Sequence, residues 1–138
     1  MNTIQSSRLL KFAFAADAVV SGAVAVLQLA LTDALAALLG LPHMLLLESG
    51  IFLVGYAALL AVLARKDSLP RALVLFLVLG NVGWALGCGL TIALTSPGAL
   101  GVGFVLVQAV TVLVFAGLQL AGLKASAPGA ASAHPRVA

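Results

Sequence analysis

The chain has 138 residues, 63% of them hydrophobic and only 8% charged, with a formal net charge of +3. A mean hydropathy of +1.23 gives it far more apolar surface than so short a chain can bury in one water-soluble core. Composition therefore excludes an ordinary soluble domain, and the absence of any basic helix or stripe excludes nucleic acid as the partner of the excess positive charge.

A hydrocarbon slab about 30 Å thick takes roughly 20 helical residues to cross, and four apolar segments meet that length, at about 9–30, 44–64, 70–94 and 99–123. They predict an all-α fold: a polytopic membrane protein whose residues 1–124 form an antiparallel bundle of four transmembrane helices. The first span follows Arg8 and Lys11 as a secretory signal would. It is too long for one, contains Asp17 and precedes three more spans, so an uncleaved helix is expected.

That span ends at Thr32-Asp33, either of which can cap a short helix over about 33–39 that Gly40 and Pro42 then stop. The short helix is almost wholly apolar and is expected to lie in the outer membrane interface. The second span stops at Arg65-Lys66-Asp67-Ser68, and Pro70 opens the third, where a missing first-turn N–H costs nothing. Thr95-Ser96-Pro97-Gly98 makes a turn so short that the third and fourth helices must be antiparallel neighbours. Lys124 closes the fourth span. The tail over 125–138, rich in Ala, Ser, Pro and Gly without periodicity, is expected to be flexible. The two helical hairpins share an orientation, but no sequence match between them establishes a duplication.

All seven basic residues fall on one side of this arrangement. Arg8 and Lys11 precede the first span, Arg65, Lys66 and Arg71 separate the second from the third, and Lys124 and Arg136 follow the fourth. The other two connections carry no Lys or Arg. This asymmetry predicts both termini in the cytoplasm, with the basic residues also contacting anionic headgroups. Richness in Ala, Leu, Gly and Val with only three lysines suggests a bacterial inner-membrane protein from a GC-rich genome.

Polar side chains inside the spans are the candidate sites, because an unpaired polar group in hydrocarbon is costly and an ionisable one more so. Asp17, Ser21, Val24 and Gln28 share one face of the first helix; Asn81, Trp84, Cys88 and Thr91 share one in the third. Gln108, Thr111, Phe115 and Gln119 make the same row in the fourth, and Glu48 or Ser49 aligns with Phe52 and Tyr56 in the second. The rows are expected to face one another. With about 1.5 Å of rise per residue, Asp17 and Tyr56 fall roughly 10 Å from the basic side, Asn81 and Gln108 about 15 Å, and Gln28, Glu48 and Trp84 about 20–25 Å. The expected pairs are Asp17 with Tyr56, Asn81 with Gln108, and Glu48 with Gln28 or Trp84. Asp17 and Glu48 are too far apart in depth to share a proton or metal, so a two-carboxylate hydrolysis is not expected.

Gly80, Gly83 and Gly87 in the third helix, Gly22 with Ala18 in the first and Gly103 with Ala99 in the fourth have the spacing of close-packed helix faces. They are expected to pack the four helices of one protomer together or to offer a face to another subunit. Cys88 is the only cysteine, which excludes paired-thiol chemistry, and is expected to be a small packing residue. His43 and His134 have no partners at ligand spacing, so neither a metal site nor a cofactor is expected.

Four spans with an acid in the first invite comparison with the small multidrug transporters, and Asp17, Tyr56 and Trp84 fall on the helices that carry that family's acid, tyrosine and tryptophan. The acid is Asp instead of Glu, the chain is longer, the surrounding motifs are missing, and the charge bias argues against dual-topology assembly. Small fluoride channels also resemble the chain in span number but have a phenylalanine and threonine filter that is absent here. No family is assigned on these grounds.

With no nucleophile and base pair, phosphate loop or metal constellation in the sequence, no catalytic residue is expected. The leading expectation is a non-enzymatic accessory, scaffold or lipophilic-ligand-holding subunit whose partners are the bilayer and either a second copy or a larger membrane protein. The alternative is a small proton- or cation-coupled transporter or channel using Asp17 and an Asn81/Gln108 layer. Third comes a membrane enzyme acting on a lipid or quinone through Glu48 and His43.

Overall fold

Ser7 sets the start of the first long helix: its hydroxyl accepts from the Leu10 amide at 3.1 Å, satisfying one donor that a first turn leaves without a partner. In the computed structural model, which describes residues 2–129, this helix, α1, runs from Arg8 to Ala30. Its buried stripe of Leu10, Phe14, Asp17, Ser21, Ala25 and Gln28 recurs every three or four residues and carries both apolar and polar groups inward.

The chain bends at Leu31 and enters α2, Thr32–Leu39. Thr32 does not cap α2 from outside, as the sequence suggested. It is the first residue of the helix, and its hydroxyl bonds back to the Gln28 carbonyl at 2.6 Å, an interaction that competes with capping and bends helices. Gly40 closes α2 in the left-handed region at φ 67°. Then come α3, His43–Leu63, α4, Arg71–Thr95, and α5, Ala99–Lys124. The four longer helices, α1, α3, α4 and α5, are long and apolar enough to cross a membrane, and each bound lies within a residue or so of its expected place.

Three short strands were not anticipated. β1, Thr3–Gln5, pairs antiparallel with β2, Ser68–Pro70, on one side and β3, Ala127–Pro128, on the other. Pro70 and Pro128 both sit on edge strands, where a missing N–H interrupts no ladder. Pro70 therefore ends β2 and α4 begins at Arg71. The expectation of a flexible tail from residue 125 is corrected as far as 129, because Gly129 donates to the Thr3 carbonyl at 2.9 Å beside the β3 pairing. The remainder of that tail, with His134 and Arg136, lies outside the described residues. Ile4 and Leu69, opposite each other in the sheet, are buried among Leu10, Phe14, Leu60, Leu63 and Leu123. The sheet thus plugs one end of the helices.

Helix α1 packs along α3 and along α5, and α4 packs along α5. Two glycines allow the closest approaches. A side chain at Gly122 would bring its Cβ within 2.6 Å of the Leu10 Cα, and one at Gly101 would collide with the Leu39 carbonyl. Helices α3 and α4, although consecutive, do not pack along each other. A gap is left between them. An apolar cluster around Leu10, Phe14 and Leu123 fills the sheet end, and a second around Leu39, Leu46, Cys88 and Val105 fills the opposite end. Outward faces carry Val19, Phe76, Leu86 and Leu94, all exposed, a surface suited to acyl chains and not to water.

Candidate functional site

Between the two apolar clusters the four long helices each send one polar group to a common point. Asp17 of α1 is fully buried and accepts at both carboxyl oxygens. Oδ1 accepts from the Ser21 hydroxyl at 2.9 Å, one helical turn further along α1. Oδ2 accepts from the Gln119 amide of α5 at 2.8 Å, the Tyr56 hydroxyl of α3 at 3.1 Å and, more distantly, the Asn81 amide of α4 at 3.5 Å. Asn81 also donates to Gln119 Oε1 at 3.2 Å. The single Tyr56 proton has two acceptors in reach, Asp17 and Asn81 Oδ1 at 3.2 Å, so it serves one at a time. Among the described residues no Lys, Arg or His lies within ion-pair distance of Asp17. The carboxyl is held by neutral donors alone.

The expected Asp17–Tyr56 contact is therefore present, while two other expected pairs are replaced. Asn81 bonds to Gln119 and Asp17 rather than to Gln108; Gln108 instead accepts from the Trp84 indole at 3.4 Å. Glu48 meets neither Gln28 nor Trp84, because it points outward and is exposed. Gln28 is satisfied by the Leu46 carbonyl at 2.9 Å and the Ser49 hydroxyl at 2.7 Å, tying α1 to α3. Gln119 was absent from the expected site, although it stands in the same row as Gln108.

The gap between α3 and α4 contains two cavities separated by Trp84. The one toward the sheet, of about 550 Å³, is lined by Phe52, Tyr56, Leu59, Phe76, Gly80 and Asn81 among others. The one toward the far end, of about 380 Å³, is lined by Gln28, Ser49, Gly83, Gly87, Cys88 and Gln108 among others. Both volumes fall in the range of small-molecule sites. Phe52 stacks on Trp84 across the gap with ring centres 5.7 Å apart, and on Tyr56 at 6.2 Å, so an aromatic ladder bridges α3 to α4 beside the Tyr56–Asn81 hydrogen bond. Three donors to Asp17, namely Ser21, Tyr56 and Asn81, also line the larger cavity.

The glycines of α4 differ from expectation in a way that bears on this gap. An added Cβ at Gly80, Gly83, Gly87 or Gly103 would meet nothing within 4 Å, so these residues do not bring helices together within the protomer. Gly80, Gly83 and Gly87 instead widen the cavities they line. Gly22 makes an ordinary contact with Ala57 at 3.7 Å.

At the end away from the sheet, His43 pairs with Asp33 at 2.8 Å, both side chains largely exposed, and no hydrogen bond joins His43 to Glu48. No cluster of three metal-ligating side chains occurs among the described residues. What the arrangement offers chemically is a nonpolar slot with a neutral, hydrogen-bonded polar wall. No family model matches the chain, and comparisons with curated proteins and with solved structures find no match.

Proposed function

We propose that this chain is a four-helix bundle of the bacterial inner membrane, with both termini cytoplasmic and α2 lying at the outer interface, that holds a lipophilic molecule between α3 and α4. It acts in this reading as a non-enzymatic ligand-holding or accessory subunit. The observation that carries the reading is that two consecutive membrane-length helices are left unpacked, with glycines of α4 enlarging the gap and aromatic rings of α3 and α4 crossing it. A gap kept only by chance would cost the dispersion contacts that close packing supplies.

The test is native mass spectrometry of the chain extracted in mild detergent, beside Gly80→Leu and Gly83→Leu, which add bulk at cavity-lining positions where a Cβ meets nothing within 4 Å. The wild type should retain a nonpolar adduct that the two variants lose at unchanged helicity. No adduct on the wild type, or the same adduct on both variants, would sink the reading.

One observation favours a second reading. Asp17 is a buried carboxyl whose donors Ser21, Tyr56 and Asn81 face the larger cavity, as a proton- or cation-coupled transporter would need. Asp17→Asn should then abolish proton-linked flux in liposomes; flux that persists removes Asp17 from such a mechanism.

A further inference from the structure

Three of the six basic residues among those described stand around the gap itself. Arg65 and Lys66 follow the end of α3 and Arg71 is the first residue of α4, so all three flank the sheet end of the space between these helices. They are exposed, and none has a carboxylate at ion-pair distance among the described residues; the one acid in that connection, Asp67, is taken by Lys11. Arg8 and Lys124 also lie at this end, but they flank α1 and α5, which pack against each other and leave no slot. Neither cavity has a Lys or Arg in its lining, but the larger one lies toward the basic end and the smaller one toward the end that carries no Lys or Arg. Of the two apolar slots, the larger is therefore the one nearest the positive charge.

The lengths agree as well. From Arg71, Phe76 lies five residues along α4, Gly80 nine and Trp84 thirteen, which is about 7.5, 13.5 and 19.5 Å of rise. One leaflet of the hydrocarbon core is about 15 Å deep, so a chain anchored at Arg71 would run past Phe76 and Gly80 and end about one helical turn short of Trp84. Phe52 and Phe76 are both more than half exposed, at 57% and 70%, so the slot opens sideways to the acyl phase. A free phosphate or a soluble anion would use the cations and leave the slot empty.

We propose that an anionic phospholipid occupies this place, with its phosphate at Arg65, Lys66 and Arg71 and one acyl chain lying between α3 and α4, past Gly80 and ending within about one helical turn of Trp84. The assignment rests on the lipophilic-ligand reading above and names the ligand class. Arginine forks suit phosphate oxygens, and juxtamembrane cations attract a net-negative headgroup over a neutral one.

Trp84 is the only tryptophan, so its emission reports the slot directly. The full chain would be reconstituted in phosphatidylcholine vesicles containing a fixed fraction of either phosphatidylglycerol or phosphatidylcholine brominated toward the chain ends. Brominated phosphatidylglycerol should quench Trp84 as if several-fold enriched, and the combined Arg65→Gln, Lys66→Gln, Arg71→Gln variant should quench equally with both lipids. Because those residues also direct insertion, wild-type vesicles at about 1 M salt, where the screening length falls to about 3 Å, give a second measurement in which the preference should shrink. Equal quenching of the wild type by both lipids overturns the anionic assignment and leaves the lipophilic slot standing. Absence of quenching by either overturns both. A preference that survives the substitutions or the salt overturns the headgroup site.

Discussion

Asp17 divides its donors unequally, and that inequality ranks the residues around it. Oδ2 has Gln119, Tyr56 and Asn81; Oδ1 has Ser21 alone. Interhelical hydrogen bonds in membranes average only about 0.6 kcal/mol, whereas a buried acceptor stripped of its donor costs about 1–3 kcal/mol. Ser21→Ala should therefore destabilise the chain by about 1–3 kcal/mol, and Tyr56→Phe by less, since two donors remain on Oδ2. Denaturation of both variants in mixed micelles checks the order, and a Tyr56→Phe loss equal to or above that of Ser21→Ala contradicts it. Asp17 and Tyr56 could be matched from the sequence because both fall at the same depth, roughly 10 Å from the basic side. Gln119 could not be matched in this way: it lies only about 7.5 Å from the end of α5 by the same rise, and its long amide arm spans the difference. Glu48 and Ser49 are alternatives for this face in the sequence, and it is Ser49 that points inward to accept from Gln28 while Glu48 is exposed; a one-residue step on a helix turns a side chain by about 100°.

Spacing rules for small residues are blind to which neighbour is present, and here the tight glycines are not the ones that spacing favours. A Cβ at Gly122 would lie 2.6–2.9 Å from Leu10 atoms, two of them backbone, and one at Gly101 would strike the Leu39 carbonyl. Backbone cannot move aside as a flexible side chain can, so Gly122→Ala should cost about 1–3 kcal/mol. Gly80→Ala meets no atom within 4 Å and should gain up to about 1 kcal/mol of helix propensity. Thermal unfolding of the two variants should move in opposite directions; a shared direction refutes the contrast. The helices themselves were legible because twenty apolar residues leave few alternatives. The sheet was not, since strands of two or three residues carry no periodicity to detect.

The sheet also carries a pH response. Lys11 donates to Asp67 and holds its carboxyl below the ordinary aspartate range, first through that hydrogen bond and then through its charge. A depressed folded-state value means the contribution is present above the unfolded value and is lost as pH falls through the folded one, below about 4. The pair is exposed, so the effect is small. Hydrogen-exchange protection at Ser6, whose amide donates to the Asp67 carbonyl at 2.8 Å, should fall in that window for the wild type and vary less for Asp67→Asn.

At the scale of the whole molecule, charge and topology are two statements of one arrangement. The sheet ties the N-terminal strand, the α3–α4 connection and the strand after α5 to the same end, and every Lys and Arg among the described residues lies there. The opposite end carries Asp33, His43 and Glu48 and no Lys or Arg. Sequence charge alone implied this sidedness; the pairing of β1 with β3 adds a covalently separate reason, since both termini must leave the helices on one side for that sheet to close. Translocation resists short basic segments, so that end should be cytoplasmic. Cys88 is 7% exposed inside the helices and can be replaced by Ala, which clears the chain of native thiols. On that background a membrane-impermeant thiol reagent applied to intact cells should label Asp33→Cys and Ser96→Cys and spare Asn2→Cys and Ala125→Cys until the membrane is permeabilised. Labelling of Asn2→Cys and Ala125→Cys instead would invert the orientation but keep the sheet. Labelling of only one of those two would place the termini on opposite faces, and the pairing of β1 with β3 could not then exist.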